Sequence, residues 1–332
     1  MKALFALTEL TRLRLYGERS LPEIEGVEIY EVDVTHMTAE QWEHCLSVEL
    51  PDILVAGWGT PMLPERVVIN SNRSIRYLCY LCGEVKKVVP RALLEAGVPV
   101  TNWGSEISYT IAEHAVLLVL AALRNITVWP VYMQGVQVDA KRAIGLQSLR
   151  GRRVGVHGFG AIARELVPIL QVFRAEVRAF SLGVPEHIMR EYGIEPAESL
   201  QELFEHSEVV IECEALREDT RLSVDEGVLN ALPDDAVFVN VGRGSVVDED
   251  ALARVALAKS LRLGLDVFQE EPLPLNSALR QVPGVLLSPH VAGPTSDAFV
   301  YCTELAHANL RRFVMGEALQ ARVTLESYDQ ST

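Results

Sequence analysis

RVGVHGFGAIA, residues 153–163, is the stretch from which the rest of the chain is read. An apolar run ends in Gly158-x-Gly160-x-x-Ala163, and a helical pattern opens directly behind it. Gly158 permits a tight turn, Gly160 lets the backbone approach a pyrophosphate, and the small Ala163 allows helix and strand to pack closely. The first N–H groups of the helix, aided by its dipole, favour a phosphate at this point. A tight turn with no ligand shares the local pattern, but the strand before it and the helix after it favour a dinucleotide site. Gly158, Phe159, Gly160, Ala161 and Ile162 are the expected cofactor contacts.

Working outward, the segment begins one of two strand–helix alternations. Downstream come AEVRAFS, EVVIECE, AVFVNVG, LRLGLDVF and VLLSP as strands, with helices expected near 161–173, 186–192, 225–231 and 248–258. Upstream, KALFAL, VEIYEV, DILVAG, IRYLCYL and VPVTN read as strands with helices near 39–47, 63–70 and 87–96. Such alternation implies parallel sheets with helices on both faces, so the fold class is α/β. Two doubly wound domains, Rossmann-like and flavodoxin-like, are expected. Between them SEISYTIAEHAVLLVLAALRNI is a long helix, apolar around most of its circumference and therefore buried. TSDAFVYCTELAHANLRRFVMGEAL is a second long helix, expected to return to the first domain.

The bulk composition agrees. At 332 residues the chain suits two domains, and 49% hydrophobic residues make it globular. A net charge of −15 argues against nucleic acid or an anionic membrane as partner. Its longest apolar stretch, 115–123, is far short of the roughly 20 residues of a membrane span, and the N-terminus lacks a leader's apolar run, so a cytoplasmic location is expected. Five cysteines make no disulfide framework. Cys79 and Cys82 lie in an apparent buried strand, where residues three apart face opposite ways, so neither redox pairing nor metal binding is expected of them. No His/Cys/Asp cluster has ligand spacing, and no metal is expected.

Three polar residues stand in short strand-to-loop stretches beyond the glycine turn. Arg243 lies in VNVGRGSVVD, Glu271 in LDVFQEEPLP and His290 in LLSPHVAGPT. An arginine meets a carboxylate bidentately and keeps its charge. A histidine exchanges protons near neutral pH, and a carboxylate can orient it. Each alone reads as a surface ion pair or a satisfied histidine. Together, beside a dinucleotide turn, they suit hydride transfer to a 2-keto acid.

With these motifs the chain resembles the D-isomer-specific 2-hydroxyacid dehydrogenases. GVPVTN, IAEHAVLLVLAALR, RGRRVGVHGFGAIA, DTR, VNVGRGSVVDEDAL, GLDVFQEEP and SPHVAG follow that family's order over roughly residues 50–315. The resemblance implies a nicotinamide cofactor, NAD with NADP possible, and a small 2-keto or D-2-hydroxy acid as substrate. Arg243 would bind the substrate carboxylate, His290 would be the acid/base and Glu271 its partner. Asp266 would contact the nicotinamide amide, with Val241 and Gly293 also at the cofactor. Residues 1–103 plus 295–332 would form the substrate domain and 104–294 the nucleotide domain, with a cleft between them that closes on ligand. The long apolar helix would be the face of a homodimer.

Two departures bear on specificity. About 20 residues beyond the turn, where an acidic residue usually meets the ribose, this chain has Ser181. The substrate loop reads LCGEVKKVV, where backbone groups of Glu84 and Val85 could hold a carboxylate and Lys86 could add a cation. The Pro usual after EVVIEC is replaced around Ala215. Glu271 argues against formate-oxidising relatives, which generally carry Gln there. A phosphite-type dehydrogenase and a dinucleotide-sensing corepressor-like protein are the alternative readings.

Overall fold

The computed structural model describes residues 1–69, 75–135 and 145–330. The chain forms two compact units, Met1–Ile107 with Thr295–Thr332, and Ser108–Pro294. This division lies four residues beyond the 103/104 boundary read from the sequence.

The first unit holds five parallel strands, β1 (Lys2–Leu7), β2 (Glu28–Asp33), β3 (Ile53–Ala56), β4 (Tyr77–Tyr80) and β5 (Val100–Thr101), in the order β2-β1-β3-β4-β5. That is the flavodoxin-like order. Every residue of β3 and β4 is buried, which explains their unbroken apolar sequence. Helix Phe299–Met315 returns to this unit and packs on helix Glu9–Tyr16 and on β4. Two expectations shift. The helix near 87–96 is only Arg91–Glu95, because Pro90 sits at its N-cap and biases the preceding residue away from helix. β4 stops at Tyr80, so Cys82 belongs to the following loop rather than to the strand. Both thiols are buried and unbridged.

The second unit holds β6 (Arg153–His157), β7 (Glu176–Phe180), β8 (Glu195–Pro196), β9 (Val209–Glu212), β10 (Val237–Asn240), β11 (Arg262–Leu265) and β12 (Leu286–Leu287). Their order, β12-β11-β10-β9-β6-β7-β8, reverses direction between β6 and β9. That crevice, at the carboxyl ends of the strands, is where open parallel sheets bind ligands. Alternation along the apolar runs feeds two cores. Val209, Ile211, Val237 and Val239 face one with helices Ser108–Leu123 and Ala161–Val172. Val210 and Phe238 face the other with Leu203, Leu252 and Ala256. Helix Ser108–Leu123 packs on β10, β11 and helix Ala161–Val172, so its apolar circumference is largely covered within the unit. Among the described residues, no single helix is long and apolar enough to cross a membrane.

Candidate active site

At the end of β6 the backbone takes the form the glycine pattern requires. Gly158 has φ +91°, and a Cβ there would lie 2.5 Å from the N and Cα of Glu214. Only glycine meets both conditions without strain. Gly160 is the N-cap of helix Ala161–Val172, which has neither a side-chain cap nor an acidic first turn. A Cβ at Gly160 would meet nothing within 4 Å. An open cradle at the start of a twelve-residue helix fits a pyrophosphate. Ala163 is fully buried and lets this helix lie close to the sheet. The side chain of Phe159 is also fully buried, edge-on to Tyr192 at 5.5 Å, so only its backbone belongs to the turn.

Behind the turn lies a polar network that the sequence reading did not single out. His157 and Glu212 are both buried, and Nδ1 of the imidazole is hydrogen-bonded to Oε2 of the carboxylate. Burial works to lower the histidine pKa, but the charge and hydrogen bond of Glu212 outweigh it and hold the pKa above the ordinary value. Glu212 Oε1 accepts the Glu214 N–H at 2.7 Å. Glu214 in turn accepts from Ser181 Oγ at 2.7 Å and from Arg217 Nη1 at 2.9 Å. The only sign of this in the sequence is ECE, two acids closing an otherwise apolar strand.

The expected reactive residues lie on loops that leave neighbouring strands. Arg243 follows β10 and is exposed, with Nη1 donating to the Gly242 carbonyl at 2.9 Å. Its neighbour Gly244 is pressed against the loop after β11, where a Cβ would lie 1.9 Å from the Phe268 carbonyl carbon. Gln269 ties the same two loops together, donating from N to Glu249 Oε1 at 2.5 Å and from Nε2 to the Val247 carbonyl at 2.6 Å. Glu271 is thereby held on a fixed loop, and its Oε1 accepts the Phe268 N–H at 3.0 Å. Its Oε2 lies 2.7 Å from His290 Nδ1.

His290 has φ +53°, a left-handed conformation that non-glycine residues adopt mainly where surrounding contacts impose it. Those contacts come from Asp266. The His290 N–H donates to the Asp266 carbonyl at 2.8 Å, and the Asp266 carboxylate accepts from Val291 N, Ala292 N and Ser288 Oγ at 3.0, 2.9 and 2.6 Å. His114 reaches the same group through Ser288 Oγ at 3.1 Å. Asp266 is 1% exposed, so in this structure its carboxylate shapes the histidine loop. Pro289 and His290 border a cavity of about 480 Å³ lined also by Phe268, Leu273 and Arg280. Val241 continues β10, its N–H donating to the Glu212 carbonyl at 3.0 Å, and Gly293 follows the histidine loop.

In the first unit the loop after β4 is a compact turn. Glu84 Oε1 accepts the Lys86 N–H at 2.5 Å, and the Val85 carbonyl accepts from Val88 and Val89. The Lys86 ammonium lies over the Tyr328 ring and 3.4 Å from the Asp329 carbonyl, docked on helix Leu325–Gln330.

Comparison with known proteins finds relatives of this chain. Residues 116–292 match the model of the D-isomer specific 2-hydroxyacid dehydrogenase NAD binding domain. A glyoxylate reductase of Pyrococcus furiosus is 30% identical over 319 residues, covering 92% of this chain and 93% of that protein. A D-3-phosphoglycerate dehydrogenase of Methanocaldococcus jannaschii is 27% identical over 91% of this chain, which spans 57% of that longer relative. The solved structure of a D-2-hydroxyisocaproate dehydrogenase superposes with a TM-score of 0.78 at 20% identity, covering 98% of this chain and all of that one.

Proposed function

Because the chain belongs to the D-isomer specific 2-hydroxyacid dehydrogenase family and uses NAD, we propose that it reduces a small 2-keto acid to the D-2-hydroxy acid, and the reverse. NAD, when bound, supplies or accepts the hydride. Gly158 to Ile162 would hold its pyrophosphate, Ser181 its ribose, and Val241 and Gly293 its nicotinamide end, while Asp266, whose carboxylate is taken up by Ser288, Val291 and Ala292, would act there through the loop it shapes. The guanidinium of Arg243 receives the substrate carboxylate and polarises the adjacent carbonyl. His290 gives a proton to the carbonyl oxygen from Nε2 in reduction and takes it back in oxidation. Glu271 fixes the orientation of the imidazole by holding Nδ1. The loop after β4, with Glu84, Val85 and Lys86, is the proposed substrate-side element of the first unit.

The observation that carries this reading is the 2.7 Å Glu271–His290 contact on a loop whose backbone is held in a strained conformation by Asp266. Glyoxylate, the acid in the name of the Pyrococcus relative, is the first substrate to test. His290→Ala should lower kcat with NADH by roughly 10²- to 10⁴-fold while leaving the NADH dissociation constant within a few-fold. Glu271→Gln should lower kcat less, since the amide can still hold Nδ1. Near-normal turnover of the His290 variant would refute the assignment.

A further inference from the structure

The ribose end of the glycine turn lacks an acidic residue on β7, but the structure brings one in from another strand. Glu214, two residues beyond β9, has a side chain only 5% exposed. Its backbone packs against Gly158, whose added Cβ would lie 2.5 Å from it. Gly158 N–H also donates to the Phe180 carbonyl at 2.8 Å, so the turn, the end of β7 and Glu214 are direct neighbours. Ser181 Oγ donates to Glu214 Oε2 at 2.7 Å, while Ala215 N and Arg217 Nη1 occupy Oε1 at 3.0 and 2.9 Å.

We propose that Ser181 and Glu214 act as one ribose-recognition couple, and that Glu214 is the residue that makes this chain select NAD over NADP. A serine hydroxyl has one proton and two lone pairs. With its proton committed to Glu214, Ser181 offers only lone pairs, as an aspartate at the same place would. Ribose hydroxyls can donate to that surface. A 2′-phosphate is an acceptor with nearly two negative charges, and it meets another acceptor backed by a carboxylate.

Charge counting points the same way. Arg217 is shared between Glu214 and Asp219, whose Oδ1 lies 3.1 Å from its Nε, so this trio carries a net negative charge. Arg190, the nearest arginine downstream of Ser181, pairs with Glu186 at 2.9 Å. The buried His157–Glu212 pair completes the support, since Glu212 holds the Glu214 N–H.

The inference rests on the dinucleotide reading of the turn, and the test separates the two. Dissociation constants for NADH and NADPH are measured on the intact chain by nicotinamide fluorescence, for wild type, Glu214→Gln and Ser181→Ala. Wild type should prefer NADH by about 100-fold or more, and Glu214→Gln should reduce that preference by at least about tenfold, mainly through tighter NADPH binding. Ser181→Ala keeps the Glu214–Arg217 pair and should weaken NADH roughly tenfold, the loss of one hydrogen bond to the ribose. It remains decisive if the glutamine variant fails to fold. An unchanged NADH/NADPH ratio in the folded variants, or a wild type that prefers NADPH, would overturn the proposal while leaving the dinucleotide site intact. A wild type that binds neither would overturn the dinucleotide reading, and the proposal with it.

Discussion

Tyr16 and His307 show how one residue can set the acid limit of a unit. Tyr16 is 2% exposed, its hydroxyl lies 3.1 Å from His307 Nε2, and the two rings stack at 5.7 Å. Burial, then Arg311 and Arg19, push the His307 pKa from 6.5 down to about 4. Between these values the unfolded chain binds the proton and the native one does not. The contribution to stability is therefore complete above pH 6.5 and is lost as pH falls through about 4. At 1.36 kcal/mol per unit, the loss is on the order of 3 kcal/mol. His307→Gln should flatten the dependence of urea stability on pH between 4 and 6.5 relative to wild type. Tryptophan fluorescence is a suitable probe, since Trp42, Trp58 and Trp103 all lie in the first unit. Parallel pH slopes for variant and wild type would refute the attribution.

The strand–turn–helix element around β6 separates two roles of glycine. Gly158→Ala forces a side chain into the left-handed region and against the Glu214 backbone, and should destabilise the fold by about 2 kcal/mol or more. Gly160→Ala has φ −84° and open space, so it should cost no more than about 1 kcal/mol. Yet it should weaken NADH roughly tenfold, because the methyl stands where the pyrophosphate would approach. Thermal melts and NADH titrations of both variants check the contrast; equal losses of stability would contradict it. This element was legible because the short strand Arg153–His157 runs straight into the glycines that mark its end and a helical pattern opens directly behind them. Helix Glu9–Tyr16 was not, since Leu10 and Leu13 are 56% and 62% exposed and blur the apolar face. The acid/base candidates were legible for a similar reason: each lies in a short motif at a strand end. Glu214 was hidden because ECE reads as the tail of a strand, and its partner Ser181 is 33 residues away.

Across the whole molecule, the two units have separate sheets and separate hydrophobic cores. Strand–helix alternation made both visible in the sequence, whereas the exact point of division depends on how four residues before Ser108 pack, which no local pattern encodes. Separate cores imply that unfolding is not a single two-state event. On the proposed reading of the glycine turn, NADH should act on the unit that contains it. At a hundred times its dissociation constant it should add about 2.7 kcal/mol to that unit's stability. Calorimetry should then resolve two transitions, with NADH raising the one assigned to Ser108–Pro294 and leaving the other nearly in place. Hydrogen exchange makes the assignment: amides of β9 and β10 should gain protection on adding NADH, while those of β1 and β3 should not gain to the same extent. A single transition that NADH moves as a whole, with equal protection gained in both sheets, would show that the two cores unfold together.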